Sequence, residues 1–111
     1  AVAVSTTARR SDQSIAAAVQ ALAEGAHPQK IVLFGSYARG DATADSNLDL
    51  LVIADEVNDR ASEMVRLRRL LRPLRVPADV LVYSADEVSR WGAQPGTALY
   101  WALREGKVVY G

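Results

Sequence analysis

The stretch LDLLVIA, residues 48–54, constrains this chain more than any other, because it sets a single carboxylate, Asp49, inside a run of otherwise apolar side chains. An apolar run of this length, bounded by turn residues, predicts a strand covered on both faces and therefore central in its sheet. A carboxylate in such surroundings needs a metal, a cation or hydrogen-bond donors. A second apolar run, IVLF, predicts a strand over Lys30–Phe34 and stops at Gly35-Ser36. A third, ADVLVY from Ala78 to Tyr83, repeats the pattern with Asp79 near its start. Two strands that each begin with an acidic residue can bring both carboxylates into one cleft.

The intervening segments read as helices. From Ser11 to about Glu24, Ile15, Ala18, Val19 and Leu22 recur at helical spacing, with Gly25 placed as a C-cap. Asn58 is placed to cap a helix reaching about Arg72, with Met64, Leu67, Leu70 and Leu71 on one face and Pro73 beyond. Ser84 with Glu87 makes a capping-box pattern for a short helix through about Arg90. A last helix, from about Pro95 to Glu105, hands over at Gly106 to a strand at Lys107–Tyr110. Helices and strands alternate, so the class is α/β or α+β with one sheet of four strands.

The chain has 111 residues, the size of one domain, and balances 13 Lys and Arg against 13 Asp and Glu. Balanced charge provides no global field toward nucleic acid or a membrane, and argues against a nucleic-acid acceptor. Cysteine is absent, which excludes disulfides and thiol chemistry. No apolar run approaches the roughly 20 residues of a membrane span, and no signal peptide is visible, so a cytoplasmic protein is expected. Residues 1–10, AVAVSTTARR, show no clear pattern and are expected to fray from a single domain over 1–111.

Gly35 lets the backbone approach a ligand closely, and a helix opening at Ser36 (SYAR) would present free amides and a hydroxyl to a phosphate. Asn47 and Asp49 share a strand face with Cα atoms about 6.6 Å apart, a spacing from which carboxylates could converge on Mg²⁺. Asp45 has the same parity but lies about 13 Å from Asp49 in an extended segment, too far to substitute. Arg39 in the loop suits either a triphosphate or solvent. Arg66, Arg68, Arg69, Arg72 and Arg75 are concentrated on one helix and its end, where a solvated face is the simpler expectation and a partner surface the alternative. His27 is the only histidine, which leaves a Ser–His triad or a His-rich zinc site without support. Trp91, Tyr100 and Trp101 suit a core or an interface.

Gly35-Ser36, ten residues, then Asn47-Leu48-Asp49, with Asp79 on a later strand, resembles the nucleotidyltransferase superfamily related to DNA polymerase β. The likeness is to its minimal, MNT-type branch, and extends over most of residues 28–111, from IVLFGSYARGDATADSNLDLLV to the tail GTALYWALREGKVVYG. The resemblance implies a mixed sheet flanked by helices, ATP or another nucleoside triphosphate over Gly35 and Ser36, and Mg²⁺ held by the acidic residues. Asp49 matches the second carboxylate of the family's D-x-D and Asp79 the third, which helps activate the attacking hydroxyl. The implied reaction transfers AMP to an acceptor hydroxyl and releases pyrophosphate. Small members of the family act as antitoxins that modify a HEPN-type toxin, so a protein partner of that kind, or a homodimer, is expected to present the acceptor. The departure is Asn47, where the first carboxylate belongs; with one charge fewer, metal binding and the metal-assisted step should weaken. A slow enzyme, a non-catalytic binding module, or an Asp-to-Asn change that traps substrates would each carry this residue.

Overall fold

A computed structural model describes residues 2–43 and 45–111, with side chains described from Gln13 onward. The first helix takes in the backbone of residues 2–10, for which the sequence showed no pattern and suggested fraying, while the side chains of residues 1–12 lie outside the described residues. In chain order the elements are α1 (Val2–Ala26), β1 (Lys30–Phe34), α2 (Ser36–Arg39), β2 (Leu48–Ala54), α3 (Arg60–Leu71), β3 (Ala78–Ser84), α4 (Ala85–Trp91), α5 (Ala98–Glu105) and β4 (Lys107–Tyr110). A 3₁₀ turn over Arg72–Leu74 carries Pro73 and follows α3.

The four strands form one mixed sheet in the order β3-β2-β1-β4. β2 is central as its apolar run requires, parallel to β3 and antiparallel to β1. A parallel pair needs a crossover connection, which α3 provides. Period-two alternation divides the core. Leu48, Leu50 and Val52 of β2, with Val80 and Val82 of β3, point to the face covered by α1 and α3 through Ala18, Leu22, Leu67 and Leu71. Leu51, Ile53, Leu81 and Tyr83 point to the opposite face, covered by α4 and α5 through Val88, Leu99 and Ala102.

Several local expectations shift. Gly25 lies within α1 rather than capping it, and the Leu70 side chain of α3 packs into the space that a Cβ there would enter. The helix ends one residue later, and His27 takes up the left-handed turn at φ 46°. α3 is capped by Asp59 rather than Asn58: Asp59 Oδ1 accepts from the Ser62 amide at 3.2 Å. α5 opens at Ala98 under a Thr97 cap, three residues beyond Pro95. The Ser84–Glu87 capping box forms as expected. Trp91 and Trp101 are 39% and 50% exposed, so neither is a core residue.

Candidate functional site

Three chain directions converge at one end of the sheet. β1 runs toward it and finishes at Phe34, paired with Asp49; β2 and β3 start there, with Asp49 and Asp79 side by side in register. Odd-numbered residues of both strands face α4 and α5, so the two carboxylates share that face on adjacent strands. Asp49 is half-buried, whereas Asp79 and Asn47 are exposed at the rim.

Gly35 follows β1 in a conformation open only to glycine, φ 73° and ψ −153°, before α2 opens at Ser36. A Cβ at this position would overlap Asp49 Oδ2 and stand 3.0 Å from its Cγ, so the carboxylate occupies the space that the missing side chain leaves. The Gly35 carbonyl accepts from the amides of Ala38 and Arg39 at 3.1 and 3.0 Å, closing the turn SYAR that the sequence suggested. The first amides of such a turn, those of Ser36 and Tyr37, have no intrahelical partner.

Asn47 stands immediately before β2 and donates from Nδ2 to Asp79 Oδ2 at 3.3 Å. On the other side of Asp79, Arg68 Nη2 approaches Oδ1 to 3.7 Å. Burial, then the charge of Asp79 and, more weakly, that of Glu105 push the Asp49 carboxyl above its ordinary range, and the Arg39 guanidinium opposes them. Arg39 forms ion pairs with Asp41 at 3.4 Å and with Glu105 at 3.1 Å. Asp45 lies in the Thr43–Ser46 turn, its amide donating to Thr43 Oγ1 at 3.3 Å, and belongs to no cluster with Asp49.

The sequence-derived residues thus come together: Gly35 with Asp49, Asp49 with Asp79, and Asp79 with Asn47. Two neighbours were not foreseen. Glu105 arrives because α5 ends where β4 starts, and Lys107 of β4 pairs with Leu33 of β1 beside the site. Its signal was present in the tail motif ALREG, but no spacing rule ties residue 105 to residue 39. Arg68 had been grouped with a solvated face; only the return of α3 toward the start of β3 brings it to Asp79.

The donor set that Asp49 and Asp79 offer is all carboxylate oxygen, the chemistry that suits a hard divalent cation, and Asn47 turns its amide nitrogen toward it. It has two carboxylates, not three, and no group of three or more His, Cys, Asp or Glu side chains is arranged to hold a metal among the described residues. An apolar groove of about 590 Å³, lined by Ile15, Val19, Leu33 and Tyr110 among others, includes none of the site residues. No helix among the described residues is long and apolar enough to cross a membrane.

A mixed four-stranded sheet with a glycine-serine turn packed on paired strand-start carboxylates defines a nucleotidyl-transfer type of domain. The chain belongs to the nucleotidyltransferase domain family, whose model matches residues 14–108. It is 33% identical over 85 residues to a Methanocaldococcus jannaschii protein provisionally named a protein adenylyltransferase, covering 74% of this chain and 78% of that one. A crystal structure of a Sulfolobus solfataricus protein, provisionally termed a nucleotidyltransferase, superposes with a TM-score of 0.56 at 19% identity over 87% of this chain and 82% of that one, a likeness of fold alone. A crystal structure described as a toxin–antitoxin with AMP-PNP superposes with a TM-score of 0.60 at 25% identity, over 89% of this chain and 72% of that one. The minimal, MNT-type resemblance of the sequence fits these matches.

Proposed function

We propose that this chain binds Mg²⁺-ATP and transfers AMP to a hydroxyl of a partner protein in the cytoplasm, at a rate limited by Asn47. The observation that carries this is the in-register pairing of Asp49 with Asp79 beneath a glycine whose missing side chain is replaced by the Asp49 carboxylate. The AMP-PNP of the toxin–antitoxin structure and the name of the Methanocaldococcus relative support the nucleotide and the protein acceptor. A HEPN-type toxin is the partner we favour, with a second copy of the chain as the alternative source of the acceptor.

In this scheme Gly35 and Ser36 receive the phosphates on free amides and a hydroxyl, and Arg39 adds positive charge beside them. Asp49 and Asp79 would hold Mg²⁺. Bound there, the ion neutralises the triphosphate and polarises the reacting phosphorus. A carboxylate oxygen of Asp79 takes the proton of the acceptor hydroxyl. The hydroxyl oxygen forms its bond to the α-phosphorus as the bond from that phosphorus to pyrophosphate breaks.

A second reading rests on one specific contact. Asn47 donates to the carboxylate that the reaction needs free, as expected of a module that binds a nucleotide or a partner without catalysis. Labelled ATP with Mg²⁺ and a co-expressed partner separates the two, with Asn47→Asp run in parallel. Slow labelling of the partner by the present chain and at least ten-fold faster labelling by the variant is expected. Absence of label with both proteins would remove the transferase reading.

A further inference from the structure

α3 carries more arginine than its packing uses. Arg60 ion-pairs with Glu87 and Arg66 with Glu63, but Arg69, Arg72 and Arg75 are exposed and have no carboxylate in salt-bridge range among the described residues. Val65, Arg69 and Arg72 follow one another at i, i+4 and i+7, which lines them up along one stripe, with Arg68 one position around. Val65, on that stripe, is 48% exposed.

The topology fixes where this stripe lies. α3 returns the chain from the end of β2 to the start of β3, so its C-terminal turn sits at the end of the sheet where Asp49 and Asp79 stand. Arg68 makes the junction physical through its 3.7 Å approach to Asp79. Arg75 follows in the left-handed region, φ 54° and ψ 34°, a conformation that glycine would occupy with less strain. An arginine held there after a proline turn is displayed rather than packed.

We infer that Arg69, Arg72 and Arg75 form a docking surface for an acidic segment of the protein that carries the acceptor hydroxyl. This rests on the transferase function proposed above, of which it names the partner's chemistry. Charge complementarity sets the sign of the ligand: three guanidinium groups recognise carboxylates by paired N–H donors. The exposed Val65, which lines one shallow groove with Arg66 and Arg69, adds an apolar contact that fits a polypeptide. Residues 60–76 contain no aromatic side chain on which a nucleic-acid base could stack, and the chain as a whole has no net charge.

The test uses a fluorescein-labelled peptide of alternating glutamate and tyrosine, the same peptide with glutamine for glutamate, and a single-stranded RNA of equal charge. Anisotropy titrations are run on the whole chain, on R69A/R72A/R75A and on R69K/R72K/R75K. The acidic peptide should bind more tightly than the glutamine peptide and the RNA, lose at least ten-fold in affinity in the alanine variant, and regain only part of it in the lysine variant, which restores the charge but not the paired N–H donors. Equal binding of the glutamine peptide, unchanged affinity in the alanine variant, or preference for the RNA would overturn the inference. Thermal stabilisation by Mg²⁺-AMP-PNP, measured on the same proteins, should be equal in all three. Its absence throughout would fail the nucleotide site while leaving the peptide result to judge the surface by itself.

Discussion

Asn47 exchanges one kind of stability for another. Its amide donates to Asp79, where an aspartate would stand against a like charge. Without Mg²⁺, Asn47→Asp should therefore lower stability by about 1 kcal/mol, the worth of the lost hydrogen bond, and Mg²⁺ should restore it; melting curves in chelator and in Mg²⁺ read both effects. Asp49→Asn should act in the opposite sense. It removes a half-buried charge that its neighbours already oppose, so the metal-free melting temperature at neutral pH should rise as activity is lost. Gly35→Ala should cost about 2 kcal/mol from its backbone region alone, more with the collision at Asp49, and should abolish any shift with Mg²⁺-AMP-PNP. At this scale Gly35, Asn47, Asp49 and Asp79 were legible because strand parity and a fixed loop length determine their neighbours. Arg68 and Glu105 were not, because their positions depend on how α3 and α5 return to the sheet.

Among the elements, strands were read more closely than helices. β1, β2 and β4 have the bounds that their apolar runs suggest, and β3 gains only Ser84. Helix ends moved because Asn58 and Asp59 offer equivalent caps to a reader of sequence, and the extended backbone of Asp59, φ −135° and ψ 100°, decides between them. Gly25 misled for a related reason: glycine ends a helix or admits a neighbour, and the crossing with α3 selects the second. One contact joins three elements at the end of the sheet away from the carboxylates. Arg60 of α3 ion-pairs with Glu87 of α4, donates to the Val82 carbonyl at 3.0 Å and stacks over Tyr83 at 4.5 Å. The Arg60 hydrogen bond is the largest cause holding the Glu87 carboxyl below its usual range. A carboxyl depressed on folding stabilises above its unfolded pKa and loses that contribution as pH falls through the folded value. Glu87→Gln should accordingly lower stability by about 1 kcal/mol at pH 7, with the difference from the parent closing below the 4.5 typical of a free glutamate. Denaturant titrations at neutral and acid pH measure it.

For the molecule as a whole, fold and site share one origin. A parallel β2–β3 pair with α3 as its crossover places both strand-start carboxylates at one end, and antiparallel β1 delivers Gly35 to the same place. The buried side chains that hold this arrangement, such as Leu50 and Val80, lie on the face opposite the carboxylates. Leu50→Ala should cost about 2–5 kcal/mol by opening a cavity in the central strand, and at temperatures where the variant remains folded its nucleotide affinity should be nearly unchanged. The central claim is that Asp49 and Asp79 together form the metal–nucleotide site. Calorimetric titration of Mg²⁺-AMP-PNP into the chain and into D49N/D79N tests it most directly. Saturable binding by the parent that requires Mg²⁺ and is lost in the double variant is the expected result; equal affinity in both proteins would contradict the account.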